Sequence, residues 1–159
     1  TSKTDTKTPS EDDIQKAIEE DNTIFDLVET SENLTNTLLI AVSNTESGTT
    51  TTLDVYDLSG QTERSQYNLS SQLPKKDGTN DEYVEAAKNY ILNGMMIASD
   101  MHSYLDKNKL DDLSDYKKRV EAQQNYTLSV VSARMVYHSD AGVPEDKINE
   151  ILGTNSDTE

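Results

Sequence analysis

Apolar residues recur at three- and four-residue intervals over most of this chain. From Tyr83 to Leu105 they fall at Tyr83, Ala86/Ala87, Tyr90/Ile91, Gly94, Ile97/Ala98, Met101 and Tyr104/Leu105. That spacing keeps one stripe on one face of a helix. Asp81, Glu85, Lys88, Asp100 and Ser103 take the opposite face. Thr79 followed by Glu82 reads as a capping box at the start, and Asn108, able to turn left-handed, as the stop. A second helix is expected from Asp111-Asp112, acids suited to a helix N-terminus. Its stripe reads Leu113, Tyr116, Val120, Gln123/Gln124, Thr127/Leu128, Val131, Met135 and His138, with a polar middle. So short a connection makes the two helices antiparallel neighbours. Gly94 then lies at the depth of Gln123/Gln124, with room for close approach or for Tyr126.

Upstream, Thr8-Pro9-Ser10-Glu11 predicts a helix start with a Thr cap and Pro in the first turn. Ile14, Ala17/Ile18, Ile24/Phe25, Val28, Leu34/Thr35, Leu38/Leu39 and Val42 carry the stripe on to Asn44. Asp21 falls on that stripe, so a kink or break at Asp21-Asn22-Thr23 is expected. Residues 49–73 read either as a β-hairpin or as a thin helix with Leu53, Tyr56, Gly60, Tyr67 and Leu73 along one side. The helix is preferred, because three long stripes need a fourth to close a core and a lone hairpin is marginal. Pro144 opens a short last helix with Ile148, Ile151 and Leu152 inward and Gly153 ending it. The expected fold is an all-α, antiparallel, up-down four-helix-bundle-like domain over residues 9–153. Residues 1–8 form a disordered tether before it, and 154–159 a frayed tail after it.

Thirty acids against fourteen bases give a net charge of −16. That excludes nucleic acid as a partner, since phosphate binding draws its affinity from basic patches. It equally opposes docking on an anionic membrane and selects partners with a basic or neutral face. No stretch approaches the roughly twenty apolar residues of a membrane span. There is no cysteine, so no disulfide or thiol chemistry enters.

No catalytic, cofactor-binding or metal-ligating residue is nominated, and no binding residue is singled out. His102 and His138 are preceded at three residues by Ser99 and Met135, so the Glu-x-x-His pairing of a di-iron bundle is missing. On the antiparallel hairpin they lie about 30 Å apart at 1.5 Å per residue. The segment 106–115 lacks the glycine of a calcium loop, and isolated glycines build no phosphate cradle. Tyrosines 83, 90, 104, 116 and 137 fall on or beside stripes. They belong to an amphipathic core with hydroxyls reaching outward, or to a tyrosine-rich groove at one bundle end.

The small-polar run Thr1–Ser10, leading into an acidic, Tyr-bearing, cysteine-free helical domain, is similar to the mature part of small Gram-positive surface lipoproteins. The resemblance implies a lipidated Cys just before Thr1 as the sole attachment to a membrane. It implies an extracytoplasmic location and transfers no functional residue. The expected function is therefore a non-enzymatic binding or adaptor domain, engaging another protein and needing no cofactor. The alternative is a small-molecule sensing or carrier bundle, its ligand lying where Gln123/Gln124 meets Gly94.

Overall fold

A computed structural model describes residues 8–153; the expected tail, and all of the expected tether but Thr8, lie outside these. Five α-helices follow one another: α1 Glu11–Glu46, α2 Thr52–Ser71, α3 Asp81–Asp106, α4 Ser114–Asp140 and α5 Glu145–Leu152. The fold is an all-helical bundle with a short closing helix. Residues 49–73 are helix over α2, as preferred from sequence, and no strand occurs among the described residues. Asn108 takes φ 52° and ends the α3 turn as expected, and Gly153 closes α5 at φ 67°.

Helix starts differ from the sequence reading where a nearer side chain competes for the cap. Ser10, not Thr8, caps α1: its Oγ accepts from Asp13 N–H at 3.1 Å, and Asp13 Oδ2 accepts from Ser10 N–H at 3.3 Å. Thr79 forms no capping box with Glu82, because its hydroxyl donates to Asp77 Oδ1 at 2.6 Å. Asn80 takes the cap position of α3 instead, its amide donating to Glu20 Oε1 at 2.7 Å and to Lys75 O at 3.1 Å. That tie joins the α2–α3 turn to α1. At the same end Gly142, φ 82°, lies so close to Pro9 that a Cβ would come within 2.3 Å of its ring.

α3 is the central element, packed against α1, α2 and α4, whereas α1 and α4 barely touch. Two apolar clusters fill the interior. One gathers Ile24, Val28, Tyr83, Ala87, Ile91, Val130 and Tyr137; the other Leu38, Val55, Ile97, Ala98, Met101 and Tyr116. Between them runs a polar belt. Gln66 Nε2 donates to Ser31 O at 3.1 Å and to Thr35 Oγ1 at 3.0 Å, and Ser31 Oγ donates to Gln66 Oε1 at 2.5 Å. Gly94 makes room for this belt, since a Cβ there would stand 2.8 Å from Gln66 Nε2 and 2.9 Å from Thr35 Oγ1. The expected meeting of Gly94 with Gln123/Gln124 or Tyr126 is therefore corrected: Gly94 faces α1 and α2. Gln123 Oε1 instead accepts from Asn93 Nδ2 at 2.6 Å.

Three further expectations are revised. α1 runs unbroken past Asp21, because the buried carboxylate finds partners on other helices and has no need to recap its own. Leu53 and Tyr67 of α2 point outward, and Val55, Ser59, Thr62, Gln66 and Leu69 face in. The stripe of α4 is also rotated in its second half. His138 is buried as expected, but Val130, Arg134 and Tyr137 are buried with it, while Leu128, Val131 and Met135 are exposed.

Candidate functional site

The rotation of α4 has a cause in its polar residues. Asp21 of α1 is fully buried, and three side chains converge on it. Arg134 makes a two-pronged pair, Nε to Oδ1 at 2.8 Å and Nη2 to Oδ2 at 3.0 Å. The Tyr83 hydroxyl donates to Oδ1 at 2.6 Å, and His138 Nε2 lies 3.0 Å from Oδ2, off the line of a straight hydrogen bond. The guanidinium also sits 3.7 Å over the Phe25 ring, a cation–π contact. Burial pushes the Asp21 carboxyl up, but His138, Arg134 and Tyr83 outweigh it and hold the pKa at about 2. For Tyr83 burial and the Asp21 contact both push the hydroxyl up.

A charge left alone in a core costs several kcal/mol, on the order of 3–5, so Arg134 must face Asp21 once Asp21 is inside. The rest of α4 follows. Residues 128, 131 and 135, which continue its apolar pattern, turn to the solvent with exposures of 61, 42 and 47 %, and Val136 is 44 % exposed. Four large apolar side chains are thus exposed together on one helix of an otherwise acidic surface.

Beside this face, α3 and α4 form an open groove of about 670 Å³. Leu128, Ser132, Ala133 and Val136 make one wall, and Asp81, Glu82, Glu85, Ala86 and Asn89 the other. Val131 and Met135 carry the apolar surface over the adjacent shoulder. The groove is thus apolar along α4 and acidic along α3. Glu85 holds an ion pair with Lys76 at 2.5 Å, which lowers its pKa, so the nearby Asp81 and Glu82 shape much of the field there.

The five stripe tyrosines do not gather into one groove. Tyr83 and Tyr137 stack obliquely at one end, 5.5 Å between centroids, Tyr90 lies mid-bundle, and Tyr104 and Tyr116 pack at the other end. All but the half-buried Tyr104 are buried, which makes them core. Burial pushes Tyr116 up to about 12.

The two histidines occupy opposite ends. His102 stacks on Tyr56 at 4.2 Å, with Nδ1 3.1 Å from Tyr56 O and 3.2 Å from Ser59 Oγ. Ser59 is fully buried and its hydroxyl donates to Tyr56 O at 2.9 Å, so this pair has no approach for a substrate. Among the described residues no group of three or more His, Cys, Asp or Glu is placed to hold a metal ion. No described helix is long and apolar enough to cross a membrane.

Between α1 and α4, where the helices stand apart, lies a narrower cleft of about 280 Å³ with Tyr90 and Ile97 at its floor. Gln123, Gln124 and Thr127 line one side, Glu32 and Thr35 the other. Gln123 Nε2 is shielded from water there, with no hydrogen bond of good geometry.

No signal in the periodicity marked the groove, because Leu128, Val131 and Met135 read as core. Arg134 off that stripe, and the charged Asp21 on the stripe of α1, were the available clues. Comparison with protein-family models, with curated proteins and with solved structures finds no match for this chain.

Proposed function

We propose that this chain is a non-enzymatic binding or adaptor domain that docks a helical segment of another protein, apolar on one side and flanked by basic residues, in the α3–α4 groove. The observation that carries this reading is the exposed face of Leu128, Val131, Met135 and Val136 beside a wall of carboxylates. Burial of an amphipathic helix's apolar face in a hydrophobic groove supplies the holding energy of such contacts, and acidic rims speed encounter with basic partners. With a net charge of −16, neither a second copy of the chain nor an anionic membrane complements that rim. The small-polar segment Thr1–Ser10 and the acidic composition support display outside a Gram-positive membrane.

The test is a photo-crosslinking residue at Ser132, inside the groove, and a control at Thr30 on α1, both exposed. The expected result is one discrete protein adduct from position 132, its crosslinked segment apolar with flanking Lys or Arg. Equal adducts from both positions, or none from 132, would remove the docking reading.

A second reading, a small-molecule carrier, is supported by the α1–α4 cleft at Gln123 and Gln124. Protein docking is preferred because that cleft, about 280 Å³, falls just short of the roughly 300–1,000 Å³ of ligand pockets.

A further inference from the structure

The α3–α4 groove does not end at Val136. It shares Asp81, Glu82, Ala133 and Val136 with a neighbouring hollow of about 380 Å³. That hollow shares Gly78, Thr79, Tyr137 and Asp140 with a pocket of about 550 Å³ at the bundle end. The three concavities form one trough, and its chemistry changes along its length. Near Leu128 and Ala86 it is mainly apolar. Toward Asp140, Asp81 and Glu82 continue from the groove and are joined by Asp13, Glu20 and Asp77 with Tyr137, and Lys16 is the one base among the described residues lining the end pocket. Asp140 is also the last residue of α4, where the helix carbonyls add roughly half a negative charge.

We infer that this trough sets the direction in which its occupant docks: the segment lies with its cationic end at Asp140 and its apolar stripe at Leu128. The inference rests on the docking reading above. From Leu128 to Asp140 the trough spans twelve residues of α4, about 18 Å at 1.5 Å per residue. Three turns of helix fill that length, with apolar anchors at i, i+3 or i+4, and i+7. A cation at the Asp140 end meets several carboxylates and the helix terminus, whereas at the Leu128 end it meets Ala86, Asn89 and Leu128, with only Glu85, already paired with Lys76, nearby. The difference in field along the trough orients the segment, and it fades as salt shortens the reach of charge to about 8 Å at physiological ionic strength.

The test uses the full chain, isotopically labelled for NMR, and synthetic 14-residue amphipathic helices with one leucine stripe. Three lysines stand in the first turn, in the last turn, or nowhere (Gln), and a fourth peptide carries Glu in their place. Each peptide bears a spin label at its C-terminus. With C-terminal lysines the label is expected to broaden the amides of Thr79 and Asp140; with N-terminal lysines, those of Asn89 and Leu128. The Glu peptide should bind at least tenfold more weakly than either lysine peptide. Glu82→Gln with Asp140→Asn, both at exposed positions, should abolish the end preference and leave the Gln peptide's affinity unchanged. Broadening that ignores lysine position, or binding by none of the peptides, overturns the directional inference. If Leu128→Glu leaves binding of every peptide intact, the groove itself is wrong and the docking reading falls with it.

Discussion

Arg134 reaches from α4 to form a two-pronged ion pair with Asp21 of α1, 113 residues earlier in the chain. With the Tyr83 hydroxyl and the His138 ring on the same carboxylate, the pair joins three helices at one end of the bundle. Elsewhere α1 and α4 hardly meet. The pair therefore holds α4 in its rotation, and that rotation leaves the apolar face outside.

Arg134→Met should destabilise the domain by about 3 kcal/mol or more, because Asp21 would keep its burial and lose its main partner. Asp21→Asn together with Arg134→Met should cost less than Arg134→Met alone. Urea unfolding of wild type, both single variants and the double measures this, and a double loss equal to the sum of the two single losses would show that the pair contributes no coupling.

The same carboxylate makes stability depend on pH. Its pKa falls from 3.8 to about 2 on folding, so it contributes stability that is complete above about pH 4. That contribution disappears as pH falls from about 4 to 2 and amounts to about 2 kcal/mol. Wild-type protein should lose this much more than Asp21→Asn across that window in parallel denaturant titrations. Parallel curves for the two would mean that Asp21 is not held ionised.

The rotation of α4 predicts opposite outcomes for two neighbouring positions. Leu128→Glu, on a residue 61 % exposed, should change stability by no more than about 0.5 kcal/mol. Val130→Asp, on a residue 2 % exposed, should unfold the domain, since an unpaired buried charge costs several kcal/mol of a total of roughly 5–15. Thermal melts decide it: a reversed order would restore the stripe expected from periodicity.

Gly94→Ala should cost about 1–3 kcal/mol, because the new methyl displaces Gln66 and Thr35 from the polar belt. Adding Gln66→Ala removes the first of those clashes. The double variant should then melt closer to Gln66→Ala alone than Gly94→Ala does to wild type. A Gly94→Ala protein as stable as its parent would show that the belt yields freely.

The periodicity of the chain determined that it is helical and where its long elements lie. Apolar residues at Ala17, Ile24, Val28 and Leu38, and at Tyr83, Ala87, Ile91 and Ile97, cannot be buried together on any other secondary structure. Asn108 and Gly153 were readable stops, because a left-handed turn is a local matter of backbone sterics. Caps were less readable: Ser10, Thr79 and Asn80 each had several backbone and side-chain partners in reach, and the turn geometry chose among them. What tertiary structure alone decided was the face that α4 buries. On one helix, Leu128, Val131, Met135 and His138 look like the inside, and Arg134 like the outside. Only when Asp21, over a hundred residues away, is itself buried does a charge have to follow it in. The rotation avoids an unpaired Asp21 and buries Val130 and Tyr137 in place of Leu128, Val131 and Met135, so the apolar area given up is largely replaced. That balance exists between helices, and no window along the chain contains it.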